Sequence, residues 1–389
     1  MHRTRLSALV VAAALAGFTP GCDRSTKAEA PRSTSVDPED SSSGQRVDTL
    51  LAEAWRNAGV SPAPEADDAT FMRRAYLDLT GVVPTLAQAQ AFLSDERPDK
   101  RTRLVDELLA SDRYAKHWTN YWDDVLMQGG RRRIVDRIAF RQWLHEELTS
   151  NTPYDEMVRR LVTASGVNSA GGRPNLAGWE LDEPAPEGVN GAVNFLLSGA
   201  QEPQNLAGLT SRVFLGVQIQ CAECHDHPTE KWKQEDFQRF TSAFMRVQGR
   251  RVDRGRQMGL RRIELDDAEE VNRFIRRRMR RTGYGDKSPR ALDGTSLDTN
   301  RPRHALARWM TAEDNPWFAR AVVNRMWARF LGRGFVDPVD DLSPKNEVSA
   351  PAVFDALTEN FVSSGFDLRH LMRVICTSSA YQRAARGGA

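Results

Sequence analysis

Charge of either sign in excess is missing from this 389-residue chain: 54 Lys and Arg oppose 52 Asp and Glu, for a formal charge of +2. Near balance removes any global electrostatic argument for a nucleic-acid partner. The marked apolar run at the start, Leu6 to Phe18, is too short for a membrane span. Cysteine is scarce, four in all, and no second C-x-x-C is present to complete a four-cysteine zinc site. A G-x-S-x-G elbow and a phosphate-cradling glycine loop are absent, and "HEELT" at His145 lacks the second His of a zincin. Alternating apolar and polar runs are few, which argues against a mainly β fold, and without a βαβ pattern the chain does not read as a thioredoxin-type dithiol protein.

What is present begins with "MHRTRLSALVVAAALAGFTPGC". Arg3 and Arg5, the apolar run and the small residues after it have the three-part shape of a secretory signal over residues 1–21. Gly21 before Cys22 resembles a bacterial lipoprotein signal, although Thr19 stands where such signals usually carry Leu. The expectation is therefore an exported protein of the periplasm or cell envelope, held to the membrane by a lipid on Cys22, with an ordinary cleaved signal as the alternative. Residues 22–46 are rich in Ser, Pro and charge, cannot bury enough apolar surface to offset their ordering entropy, and read as a disordered tether.

From residue 47 the pattern is helical, and the fold class expected is mainly α. Leu104, Leu108 and Leu109 line one face, and Tyr114, Trp118 and Trp122 follow at spacings of four, a core pattern rather than a cofactor box. Thr152 and Pro153 mark a helix start, and a helix from about Asn205 leads into the cysteine motif. Phe318, Val322, Met326 and Phe330 repeat every four residues, with Asn315 as cap and Gly332 or Gly334 as stop. Asp367 reads as an N-cap, and Cys376 as a buried thiol. Residues 165–192 form a Gly, Pro and Asn-rich loop long enough to line a site. In residues 248–299 six of the nine residues of "RFIRRRMRR" are Arg, but "ELDDAEE" upstream can neutralise part of that charge. The segment reads as a solvated connector, with anionic lipid or an acidic partner as the alternative; stacking aromatics are absent, so it does not read as a nucleic-acid site. Asp123 with Asp124, and Asp340 with Asp341, are adjacent carboxylates that diverge on helices and strands, so solvated or capping roles are expected of them.

The chemistry gathers in "QIQCAECHDHPTEKW", residues 218–232. C-x-x-C-H is the attachment sequence of c-type haem. If the segment is helical, Cys221 and Cys224 lie on one face and His225 joins them, so that two thiols add to the haem vinyl groups while His225 ligates iron from the same side. Export fits this, since an exposed thiol pair in an oxidising compartment would otherwise tend to close. Asp226 and His227 are placed behind the ligand, as hydrogen-bonding or capping groups. Two alternatives stay open. Cys221, Cys224, His225 and His227 could hold Zn, Cu or non-haem Fe, though four ligands so close would strain a tetrahedral site; or the pair could be a disulfide. For the sixth position of the iron, Met245 is a candidate, as are His117, His145, His304 and His370, and an open position would suit small-molecule chemistry.

Three stretches together resemble a known pair of domains: "FMRRAYLDLTGVVPTLAQAQAFLSDERPDKRTRLVDELLASDRYAKHW", "RVFLGVQIQCAECHDHPTEKWKQEDF", and the stretch from "ALARWM" to "CTSSAYQ". They are similar to the planctomycete cytochrome-like domain and its uncharacterised helical partner domain in exported bacterial proteins. The resemblance implies a cytochrome-like multi-helical domain over 47–247 carrying Cys221, Cys224 and His225, the Arg-rich connector over 248–299, and a C-terminal helical domain over 300–385, with long loops between. No separate cytochrome domain accompanies them here, so an external redox partner is expected. The resulting expectation is a lipid-anchored monohaem c-type protein in envelope electron transfer or haem-dependent oxidation. Its alternatives are a non-haem metal protein or enzyme acting on extracellular polymer, and an envelope scaffold.

Overall fold

Apolar spacing and caps set the helices of the computed structural model, which describes residues 38–127, 134–172, 181, 185–199, 202–253, 259–273, 275–277 and 287–385. The signal segment, Cys22 and the tether up to residue 37 lie outside the described residues. Helix α1, Pro38–Asn57, extends back into the segment read as tether. Then come α2 (Asp68–Thr80), α3 (Leu86–Ser94), α4 (Lys100–Leu109), α5 (Asp112–Met127), α6 (Arg137–Thr149) and α7 (Tyr154–Thr163). Asp67 caps α2 through Thr70 N at 2.7 Å, and Thr85 with Gln88 forms a capping box on α3. Gly81 ends α2 at φ +71°, and a Cβ there would lie 2.4 Å from His117 Nδ1, so glycine serves both the turn and the close approach. Thr152 does not cap α7; Pro153 precedes it with no side-chain cap.

The mainly α expectation holds. Tyr114, Trp118 and Trp122 are almost wholly buried, as are Phe318, Val322, Met326 and Phe330. Strands that the sequence did not announce make a small antiparallel sheet, β1 (Gly166–Val167), β2 (Val247–Arg251) and β3 (Ile263–Asp267), in the order β1-β3-β2. Two of them fall largely in the Arg-rich connector. Of the Arg run, Arg276 meets Glu270 of the acidic run at 3.9 Å; the other acids pair elsewhere, Glu264 with Arg250 and Asp267 with Arg303 at 2.7 Å.

After α8 (Val193–Gly199), α9 (Pro203–Leu215) and α10 (Gln234–Thr241), the C-terminal part supplies α11 (Pro302–Met310), α12 (Phe318–Leu331), α13 (Pro351–Ser363) and α14 (Leu368–Thr377). Asn315 Oδ1 accepts from Trp317 N and Phe318 N, Gly332 stops α12 and Asp367 caps α14. These helices pack on one another, α12 on α13 and both on α14, and also on the N-terminal part. α11 packs on α7, α12 on α9, α14 on α4, and α13 on α1. One apolar cluster runs from Val47 to Tyr381, with Tyr154 stacked on Phe318 at 5.3 Å and Trp118 against Phe330 at 5.8 Å. Arg303, 1% exposed, is buried across the same seam and donates to Val162 O and Ala164 O.

Asn168 of the Asn-rich loop and Asn194 of α8 have a structural task. Asn194 Oδ1 accepts from Asp136 N at 2.7 Å and Asn168 Nδ2 at 3.1 Å, while Asn194 Nδ2 donates to Asn168 O and Gly191 O. Asn168 Oδ1 takes Ile263 N at 2.7 Å, tying the loop to β3. Every amide group of the two buried side chains is thereby satisfied.

Candidate functional site

The motif hangs between two anchored ends. Helix α9 stops at Gly216, φ +63°, whose carbonyl accepts from Leu342 N at 2.7 Å. Ile219 is wholly buried and leads into a 3-10 turn, Gln220–Glu223, rather than an α-helix. The stretch is too short for α-helical bonding to propagate, and Asp226 draws the chain out of it: its Oδ1 accepts from Gln234 N at 2.9 Å and its Oδ2 from Lys233 Nζ at 3.1 Å. Those bonds, the backbone one first, hold the Asp226 carboxyl below the usual carboxylate range.

The tighter turn still serves the pair. Cys221 lies in the 3-10 turn and Cys224 is its C-cap residue, a three-residue spacing that favours a common side. Both are exposed free thiols, while Ala222 between them is wholly buried and roots the turn in the core. His225 follows on the same exposed loop, with its Nδ1 2.7 Å from Asp226 O. A carbonyl only accepts, so Nδ1 carries a proton, and in the neutral ring Nε2 is the nitrogen with the lone pair. His227 is the reverse case. Its Nδ1 accepts from Glu230 N at 3.0 Å and Thr229 N at 3.3 Å, capping the turn after Pro228, so its proton sits on Nε2. The sequence placed His227 and Asp226 behind the ligand; here both are bonded into the loop.

Beyond the turn the loop closes through His227 N to Trp232 O at 2.8 Å. Trp232 is buried, 6.4 Å from Trp317, which lies 6.1 Å from Trp309, with Lys231 Nζ over the Trp232 ring at 4.7 Å. Glu230 accepts from Ser343 Oγ at 2.7 Å and meets Lys345 Nζ at 3.6 Å. Glu230, Trp317, Leu342, Ser343 and Lys345 were not found from the sequence; Ser343 is 113 residues from Glu230, and no local pattern links such distant positions.

Other expected participants lie elsewhere. Met245 is buried, at the end of the 3-10 turn Ser242–Phe244. His117, His145, His304 and His370 sit on α5, α6, α11 and α14, where burial lowers the basicity of His117 and His304 and His370 Nε2 meets Asn360 Oδ1 at 2.8 Å. Cys376 is a buried thiol, its acidity suppressed by desolvation. Asp123 is not solvated: it is buried and holds Arg137 and Arg141 at 2.8 and 3.2 Å, whereas Asp124 is exposed. Asp340 is paired with Arg325, so it is not a free cap either. Among the described residues no three His, Cys, Asp or Glu side chains converge on a point where a bare metal ion would sit. No described helix is long and apolar enough to cross a membrane.

Two family matches cover most of the described chain. Residues 46–249 match PSCyt2, a protein of unknown function (DUF1549), and residues 302–388 match PSD1, a protein of unknown function (DUF1553). No curated protein and no solved structure matches. Residues 302–388 are similar to PSD1, and since the first match spans more than half of the 389 residues and ends beyond the C-x-x-C-H loop, the chain belongs to the PSCyt2 family of proteins of unknown function.

Proposed function

We propose that the chain is an exported, lipid-anchored monohaem c-type protein that exchanges electrons with an external redox partner at the cell envelope. The observation that carries this reading is the 2.7 Å contact of His225 Nδ1 with Asp226 O, next to two exposed thiols: in a neutral ring that contact takes the Nδ1 proton and leaves Nε2 as the donor atom. In metal-bound histidines a hydrogen bond from the second ring nitrogen orients the imidazole and raises its basicity. Cys221 and Cys224 on one side of the turn would each add across a vinyl group, sulfur to one carbon and hydrogen to its neighbour. Bound haem would supply one-electron chemistry.

The residues around the motif fix it rather than enclose it. Ala222 roots the turn, Asp226 clasps the start of α10, and His227 caps the turn after Pro228. The exposed loop suits electron exchange with a docking protein. Export and the lipid on Cys22 rest on the leader sequence alone. The reading is tested by producing the protein with cytochrome maturation functions and measuring its intact mass under denaturing conditions. A covalent haem adduct in the unaltered chain, lost when Cys221 and Cys224 are both replaced by Ser, is expected; an unmodified mass would refute it.

A further inference from the structure

A short strap of the C-terminal region, Asp341–Asn346, reaches the flanks of the motif, and we infer that it positions the C-x-x-C-H loop so that the two matched regions make a single site. The inference deepens the proposed function by naming what holds its attachment segment.

The strap grips both flanks of the loop. On the leading side Leu342 N donates to Gly216 O at 2.7 Å, and the Leu342 side chain lies so close that a Cβ on Gly216 would be 2.7 Å from its Cγ. On the trailing side Ser343 Oγ donates to Glu230 at 2.7 Å, with Lys345 Nζ at 3.6 Å. Glu230 is the joint between the two: its carboxylate belongs to the strap, while its backbone N–H belongs to His227 Nδ1. The strap is itself braced, since Asn346 Nδ2 donates to Asp341 O at 2.8 Å and Ser343 Oγ accepts from Lys345 N. Trp317 backs the same loop through Trp232.

A loop held at both ends fixes the separation of its thiols, so releasing either end changes how readily Cys221 and Cys224 meet. That quantity is measurable without haem. In glutathione mixtures the two thiols give up two electrons and two protons, form one disulfide, and convert one glutathione disulfide to two glutathione thiols. The equilibrium is read by alkylation and intact mass on the haem-free, full-length protein.

Ser343→Ala and Glu230→Ala are each expected to shift the dithiol–disulfide equilibrium by about fivefold, the scale of one net hydrogen bond. Glu230→Gln, which keeps an acceptor for Ser343, is expected to stay within about twofold of the unaltered protein. Glu359→Ala, at an exposed ion pair with Arg46, serves as the control that moves nothing. An unmoved equilibrium in folded Ser343→Ala, whatever Glu230→Ala does, overturns the role of the strap. Because no haem is present in this assay, its failure and the failure of the haem reading are separate results.

Discussion

At the residue scale, two imidazoles two positions apart are locked in opposite tautomers by backbone partners. His225 must donate through Nδ1 because Asp226 O can only accept, and His227 must accept through Nδ1 because two N–H groups point at it. Side-chain nitrogen NMR of the haem-free protein above the imidazole titration range is expected to show the Nδ1–H form for His225 and the Nε2–H form for His227. Matching tautomers would remove the reason for naming His225 and not His227 as the ligand. The adjacent acids of α5 divide just as sharply. Asp123→Ala leaves Arg141 buried without its carboxylate and is expected to lower stability by about 3–5 kcal/mol. Asp124→Ala, at an exposed position, is expected to change it by less than about 1 kcal/mol, both read by denaturant unfolding.

At the scale of elements, the helices were legible where burial recurs with helical period. Tyr114, Trp118 and Trp122 announced the inner face of α5, and Phe318 through Phe330 that of α12. The sheet was not legible, because β1 has two residues and β2 keeps only Val247 buried; in β3, Ile263 and Leu265 alternate as a strand should, but two positions are too few to count as a period. The motif was legible as a cluster of Cys and His, while its local geometry was left conditional on a helix: Gln220–Glu223 is a 3-10 turn, and side-chain bonds from Asp226 and to His227 shape the loop after it. Much of the Asn-rich loop read as long enough to line a site lies outside the described residues; at its described ends Asn168, with Asn194 of α8, knits β1, β3 and the start of α6 together. Asn194→Ala would leave Asp136 N and Asn168 O short of partners in a buried place. It is expected to cost about 2–4 kcal/mol in denaturant unfolding, with the β1 and β3 amides losing hydrogen-exchange protection first.

At the scale of the molecule, the two matched regions share one core, so the sequence boundary between them is not a boundary in packing. Heat or denaturant should therefore unfold residues 46–249 and 302–388 in one transition followed alike by Trp fluorescence and far-UV dichroism. That transition should weaken on mild acidification. Burial, then the Arg329 charge, holds His117 below the ordinary imidazole range, and burial, then Arg303, does the same for His304. In the unfolded chain both take up protons more readily, so stability is full at neutral and higher pH and falls as pH drops through that range. His117→Asn, which removes the titration, should flatten part of the slope. The strap, the shared core and the C-x-x-C-H loop thus describe one unit built around a candidate haem attachment site. The most direct measurement is the alkaline pyridine absorbance spectrum of the purified protein, made with cytochrome maturation functions and extracted with acidic solvent beforehand. A c-type haemochrome at one haem per chain, absent when His225, Cys221 and Cys224 are replaced together, is the result expected; a spectrum with no retained haem in the unaltered chain would contradict the account.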